Sequence, residues 1–187
     1  MFLEAICNFQ WLNEPDFNFC ENSICITPKK QTNFWQDKNN NIHIDNGHFF
    51  YIQKQNDFSI IVKWKIPQAV PEKSQFGLMG RIDDENWCKI SFAYDKEKHP
   101  AIITSVTHNA ISDFCINYIN SFEKTIYYKL QKKCSKTYLS YSFDNQEYKL
   151  IRIFQFLAQS EQLKAGAYAC NPSNQDTNAC LENIEII

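Results

Sequence analysis

The feature that most restricts how this chain can fold is a strict alternation of apolar and polar side chains in short runs. Ile60, Val62, Trp64 and Ile66 fall on one side of an extended chain, and Lys63 and Lys65 on the other. Residues 126–132 repeat the pattern with Ile126, Tyr128 and Leu130 against Tyr127, Lys129 and Gln131. Residues 138–143 do so with Leu139, Tyr141 and Phe143 against Ser140 and Ser142. A period of two puts successive side chains on opposite faces of a strand, and β-branched and aromatic residues suit a half-buried sheet. Polar turns, Lys132–Lys136 and Asp144–Gln146, separate the runs. Many short strands with polar turns at fairly regular spacing predict an all-β fold, an antiparallel β-sandwich or barrel. Residues 153–163 read as one or two helical turns, and Asn39–Asn41 as a loop tip.

The stretch GLMGRIDDENWCKI, residues 77–90, fits the same scheme. Phe76, Leu78, Gly80 and Ile82 share one face of a strand, and Cys88, Ile90, Phe92 and Tyr94 share one face of the next. Paired as a hairpin, the two strands set apolar against apolar over a core. Asp83, Asp84, Glu85 and Asn86 then cap and solvate the turn rather than hold a metal. The opposite faces bring Met79 and Arg81 beside Trp87 and Lys89. Two readings of that face are open. It is a ligand surface, with rings for stacking and cations for polar groups, or a covering segment makes Trp87 part of a second small core.

The length of 187 residues suits one domain, residues 1–187, and 44% apolar content suffices for a sizeable core. Lys plus Arg number 19 against 21 Asp plus Glu, without the basic surplus of a nucleic-acid module. The cationic stretch Lys129–Lys136 reads as a solvated hairpin. The N-terminal residues lack a basic region ahead of an apolar stretch, and no run approaches the ~20 apolar residues of a membrane span. The expectation is a cytoplasmic protein with neither nucleic acid nor membrane as partner. Its eight cysteines are then expected as thiols. No C-x-x-C pair signals zinc, and Cys88 has the parity of a small core residue.

Catalytic patterns are sparse. Glycoside hydrolysis needs two carboxyl groups roughly 5–10 Å apart, and no E-x-D-x-x-E run is present. Glu14, Asp83 and Asp113 are the candidate acids, with no spacing that joins them. No G-x-S-x-G elbow accompanies the four histidines. His43 and His48 lack further ligands for a metal, and no D-x-D-x-D loop suggests calcium. No cofactor is expected.

Several motifs resemble one family. They are Trp11-Leu12-Asn13-Glu14-Pro15, Thr32-Asn33-Phe34-Trp35 and Gly47-His48-Phe49-Phe50, then the run Gln75–Lys89. Val106-Thr107, Ser112-Asp113-Phe114, Tyr141–Asp144 with Arg152, and Lys164–Pro172 complete the series. In order and over nearly the whole chain they resemble DUF1349, a domain-of-unknown-function family named for regulation of enolase. The resemblance implies a concanavalin A-like jelly roll of the lectin/glucanase type and no settled activity. Ser74 and Ala93 stand where the family pattern carries acids. Asn33 and Phe114 replace its aspartate and tryptophan.

The expectation for function is a non-catalytic binding module. Its concave face would hold Trp35, His48, Arg81, Trp87, Lys89, Thr107 and Asp113 around a carbohydrate or another small polar ligand. The alternatives are a regulatory or scaffold protein acting through protein–protein contact, and a glycoside hydrolase relative that has lost its acids.

Overall fold

The computed structural model describes residues 4, 6–122, 124–156 and 162–187. Sixteen strands run in chain order: β1 Gln10–Leu12, β2 Asp16–Cys20, β3 Ser23–Thr27, β4 Phe34–Asp37, β5 Ile42–Asp45, β6 His48–Gln55, β7 Phe58–Lys65 and β8 Gln75–Arg81. They continue with β9 Trp87–Tyr94, β10 Pro100–His108, β11 Ile111–Tyr118, β12 Thr125–Lys133, β13 Lys136–Ser142, β14 Lys149–Phe154, β15 Gln162–Cys170 and β16 Ala179–Ile186. One sheet has the order β1-β6-β15-β8-β9-β10-β11-β4-β5, the other β14-β13-β12-β7-β16-β3-β2. All strand pairs are antiparallel. The architecture is the expected all-β jelly-roll sandwich.

Alternation dictates what lies between the sheets. Ile60, Val62, Trp64, Ile126, Tyr128 and Leu130 from the seven-stranded sheet meet Phe76, Leu78, Cys88, Ile90, Phe92 and Val106 from the other in one core. Two buried hydrogen bonds tie the sheets together. Trp64 Nε1 donates to Gly77 O at 2.9 Å, and Phe92 N donates to Tyr128 Oη at 2.7 Å. Each lets a bulky ring be buried without an orphaned polar atom. Position 77 admits only glycine, because a Cβ there would stand 2.0 Å from Ile90 O and 2.8 Å from Tyr168 Cε1.

The 83–86 segment is a turn. Asp83 Oδ1 accepts from Glu85 N at 3.0 Å and Asn86 Nδ2 at 2.9 Å, and Ile82 N donates to Asn86 O. The polar turns expected at 132–136 and 144–146 each place a residue in the left-handed region, Cys134 (φ 53°) and Asn145 (φ 63°). Asn39–Asn41 lie at the tip of the β4–β5 hairpin, where Lys38–Asn40 form a single 3-10 turn. The helical turns expected over 153–163 do not form in the described part: Ile153 and Phe154 end β14, Gln162 and Leu163 begin β15. Residues 157–161 lie outside the described residues.

A second cluster lies on the opposite face of the nine-stranded sheet. Phe34, Phe49, Met79, Trp87, Tyr168 and Cys170 pack together there, with Leu12 and Tyr51 at the margin. Trp87 has no exposed surface. It is therefore a residue of a second core, not a ring open to a ligand. The cover comes from the β4–β5 hairpin, with Leu12 as the contribution of the N-terminal segment.

One expectation about the cysteines is corrected. Cys25 and Cys180 form a disulfide, with Cα atoms 4.1 Å apart. They face each other directly on neighbouring strands β3 and β16, so the ladder brings together two residues 155 positions apart. The six others are free, with Cys88 and Cys170 buried.

Two outcomes are expected. Trp87→Ala should lower stability by about 3–5 kcal/mol, read from the denaturation midpoint, because a large ring leaves a cavity that the sheet cannot close. Thiol titration of the unreduced, unfolded protein should count six thiols; a count of eight would remove the disulfide.

Candidate functional site

The β4–β5 hairpin decides which part of the outer sheet face is open. β4 meets β11 at one register pair, Asp37 with Ile111, and the hairpin leans over the sheet from there. Phe34 sets its ring 6.3 Å from Trp87 and 6.4 Å from Tyr168. Asp45, in β5, accepts from both terminal guanidinium nitrogens of Arg81, with Nη2···Oδ2 at 2.9 Å. Such a two-pronged, mostly buried pair fixes orientation as well as charge. Gln36 Nε2 donates to Asp84 O in the β8–β9 turn. Thr107 Oγ1 shares a 2.6 Å hydrogen bond with Ser112 Oγ, which accepts from Gln36 N. Arg81, Trp87 and Thr107 thus share the expected face, but they lie beneath the hairpin and hold it down.

His48 and Asp113 are on the other side of the sheet. His48 shares the parity of Phe50, a main-core residue. Its Nε2 accepts from Lys29 N at 3.0 Å, so Nδ1 carries the proton and donates to Asn13 O. Burial lowers its pKa, and it stays neutral while joining two loops. Asp113 pairs in register with Val106 and turns toward the seven-stranded sheet, where it accepts from Arg152 Nη2 at 2.8 Å. β11 is exposed on both faces, so its sequence gives no parity by which to assign Asp113.

Trp35 and Lys89 do line an open space. Beyond the hairpin the sheet keeps a cavity of about 510 Å³, within the range of roughly 300–1,000 Å³ common for small-molecule sites. Its floor is Gln75, Lys89, Ala101, Ile103 and Ser105 from β8, β9 and β10. Trp35 and Phe114 form one wall, their rings edge to face at 5.9 Å. Phe114 is 58% exposed and presents its ring to solvent. Asn33 and Pro172 close the hairpin side, while Glu72, Lys73, Asp95 and Lys96 stand in the loops around the mouth.

Lys89 is the unusual member. It is 4% exposed, and Nζ donates to Phe34 O at 2.8 Å and Asn33 Oδ1 at 3.3 Å. It also sits 5.4 Å from the Trp87 ring centroid and 5.7 Å from that of Tyr168. Burial pulls its pKa down to about 8, so it is still mostly charged at neutral pH. Asp95 lies at the opposite extreme, held below the usual carboxylate range by backbone N–H groups of its own turn, His99 first. An acid held ionised in that way is a poor proton donor. Among the described residues no group of three or more His, Cys, Asp or Glu is placed to hold a metal ion.

Sequence reasoning missed Phe114, Ile103, Ser105 and Gln75 as lining residues. The signal for β10 was present, since Ala101, Ile103, Ser105 and Thr107 alternate with Ile102, Thr104 and Val106. Among the described residues no helix is long and apolar enough to cross a membrane.

Comparison with known proteins agrees with this architecture. A solved structure of a functionally unknown protein from Saccharomyces cerevisiae matches with a TM-score of 0.88 at 20% identity, covering 97% of both chains. The GH43 protein BlXynB from Bacillus licheniformis matches 96% of this chain but only 36% of its own, with a TM-score of 0.73 at 15% identity. The exoplasmic/lumenal domain of VIP36, in its Ca²⁺/Man3GlcNAc-bound form, matches at 0.61 and 8% identity, covering 96% of this chain and 83% of its own. At these identities the likeness is one of fold. In sequence, Regulation of enolase protein 1 of Saccharomyces cerevisiae is 26% identical over 165 residues, 87% of this chain and 80% of that protein. The family model for proteins of unknown function DUF1349 matches residues 11–187, and the chain therefore belongs to that family.

Proposed function

We propose that this protein is a non-catalytic binding module whose cavity beside the β4–β5 hairpin takes a carbohydrate. One observation carries the reading: the open part of the sheet has an aromatic wall, Trp35 and Phe114, over a floor that holds a buried amine. Sugar rings present apolar C–H faces that stack on aromatic rings and hydroxyl edges that seek fixed polar atoms. Trp35 and Phe114 supply the first, and Asn33, Gln75, Lys89 and Ser105 the second. The VIP36 domain with its bound Man3GlcNAc, matched in fold, supports sugar binding by analogy.

The residues also argue against hydrolysis. The floor carries no carboxylate, and position 93, on the same strand face as Lys89, is a fully buried alanine. Glu72 and Asp95 lie in loops at the mouth, and Asp95 is held ionised. A hydrolase needs one acid with a raised pKa and a second across the bond.

The second reading, a regulatory protein acting by protein–protein contact, has its own observation. β11 shows Phe114, Ile116 and Tyr118 on one face at 41–60% exposure, a run of apolar surface of the kind partners cover. The relative named Regulation of enolase protein 1 fits it as well.

A glycan array followed by calorimetric titration separates the two. Trp35→Ala and Phe114→Ala should each weaken sugar binding by about 2 kcal/mol, the usual worth of a stacking anchor, with the melting temperature little changed. Absence of any binding glycan, or full affinity in Trp35→Ala, would overturn the carbohydrate reading.

A further inference from the structure

We propose that the cavity selects sugars that bear a single carboxylate, bound with that carboxylate against the Lys89 amine. This rests on the carbohydrate reading above and narrows its ligand class.

Lys89 is placed by register between Met79 of β8 and Ser105 of β10, at the cavity floor. An ammonium has three N–H donors. Two meet neutral oxygens, Phe34 O at 2.8 Å and Asn33 Oδ1 at a long 3.3 Å. Among the described residues no carboxylate pairs with it. A buried charge is costly unless paired. The floor around it, Gln75, Ala101, Ile103 and Ser105, is uncharged.

The neighbouring titratable groups do not supply the missing anion. Arg81 keeps Asp45 for itself through two bonds. Burial pushes the Cys170 thiol up to about 12 and the Tyr168 phenol well above its ordinary value, so both remain neutral. At the mouth Glu72 faces Lys73 at 3.5 Å, and Asp95 accepts from its own turn. Lys96 adds a further cation. The cavity is thus lined by three lysines and two carboxylates, in a chain whose net charge is −2.

A carboxylate reaching the floor would take the free N–H or displace the long Asn33 contact, while its ring lies against Trp35 and Phe114. One buried amine balances one negative charge. A phosphate would bring a second charge and demand more donors than the floor offers. The pH window follows from the direction of the shift. The folded-state pKa of Lys89, about 8, lies below the unfolded value of 10.5, so the cost of the buried charge is present in full below pH 8. It fades as the pH rises toward 10.5, and with it goes any reason to attract an anion.

Calorimetric titration of the whole protein with methyl β-D-glucuronide and methyl β-D-glucoside tests this, since the two ligands share a ring and differ in charge. Near pH 6.5 the glucuronide should bind about tenfold tighter, the scale of one charge-assisted hydrogen bond. That preference should vanish near pH 10, as the amine loses its proton. It should also vanish in Asn33→Asp, which keeps the side-chain shape and gives Lys89 a counter-ion of its own. Lys89→Met should lose it too; should that variant fail to fold, the pH series and Asn33→Asp still decide. Equal affinity for both ligands near pH 6.5, or a preference that survives in Asn33→Asp, overturns the proposal and leaves the carbohydrate reading standing. Tighter binding of glucose 6-phosphate overturns the monocarboxylate class. If neither glycoside nor any array glycan binds, the carbohydrate reading itself falls.

Discussion

Much of this structure depends on the packing of Phe34 against the outer face of the nine-stranded sheet. Trp87, Met79 and Tyr168 place large apolar groups on a face that faces water in a simple sandwich, and such surface must be removed from solvent. The β4–β5 hairpin does this by inserting Phe34 between Trp87 and Tyr168. Its position is then fixed by the Asp45–Arg81 pair and by the Ser112 hydroxyl that receives Gln36 N. The hairpin's lean brings Phe34 O and Asn33 over Lys89 and stands Trp35 beside Phe114. Covering one half of the sheet is what shapes the opening in the other half.

Strand positions were legible wherever one face of a strand is buried and the other is not. Ile60 to Ile66, Ile126 to Leu130 and the Phe76 to Tyr94 hairpin all declare their core side by parity, and the core contains those residues. His48 was not assignable in this way, because Phe49 and Phe50 beside it are apolar on both faces and serve different clusters. Asp113 lies on a strand exposed on both sides. Trp87, Arg81 and Thr107 were placed on the correct face, but nothing local to them shows that a distant hairpin covers it. Trp35 and Lys89 were the two expected residues that the cavity keeps. The disulfide left no trace in spacing, since only the meeting of β3 with β16 creates it.

The replacements relative to the family pattern fall in places that matter for charge. Asn33 stands where the pattern has an aspartate, and its Oδ1 is one of two acceptors for the Lys89 amine. A neutral amide there leaves the cation uncompensated. Ala93, in place of an acid, is fully buried on the same strand face. Ser74 is buried as well and donates to Asn171 Oδ1 at 3.2 Å. On the face that carries Lys89 and Ala93, Arg81 has the Asp45 carboxylate as its partner beneath the hairpin, whereas Lys89 meets only neutral oxygens.

The Cys25–Cys180 bond has a mechanical meaning. It joins the third strand to the sixteenth across 155 positions of chain. Tension applied to the segments outside the bridge travels from residue 25 across the sulfur bridge to residue 180 and bypasses the chain between them. The cavity, its hairpin and nearly all of both sheets lie within that bypassed stretch. Pulled from outside the bridge, the oxidised protein can unravel only the segments that flank it before the load reaches a covalent bond. Once the bridge is reduced, the same pull falls on the β3–β16 ladder and the core behind it.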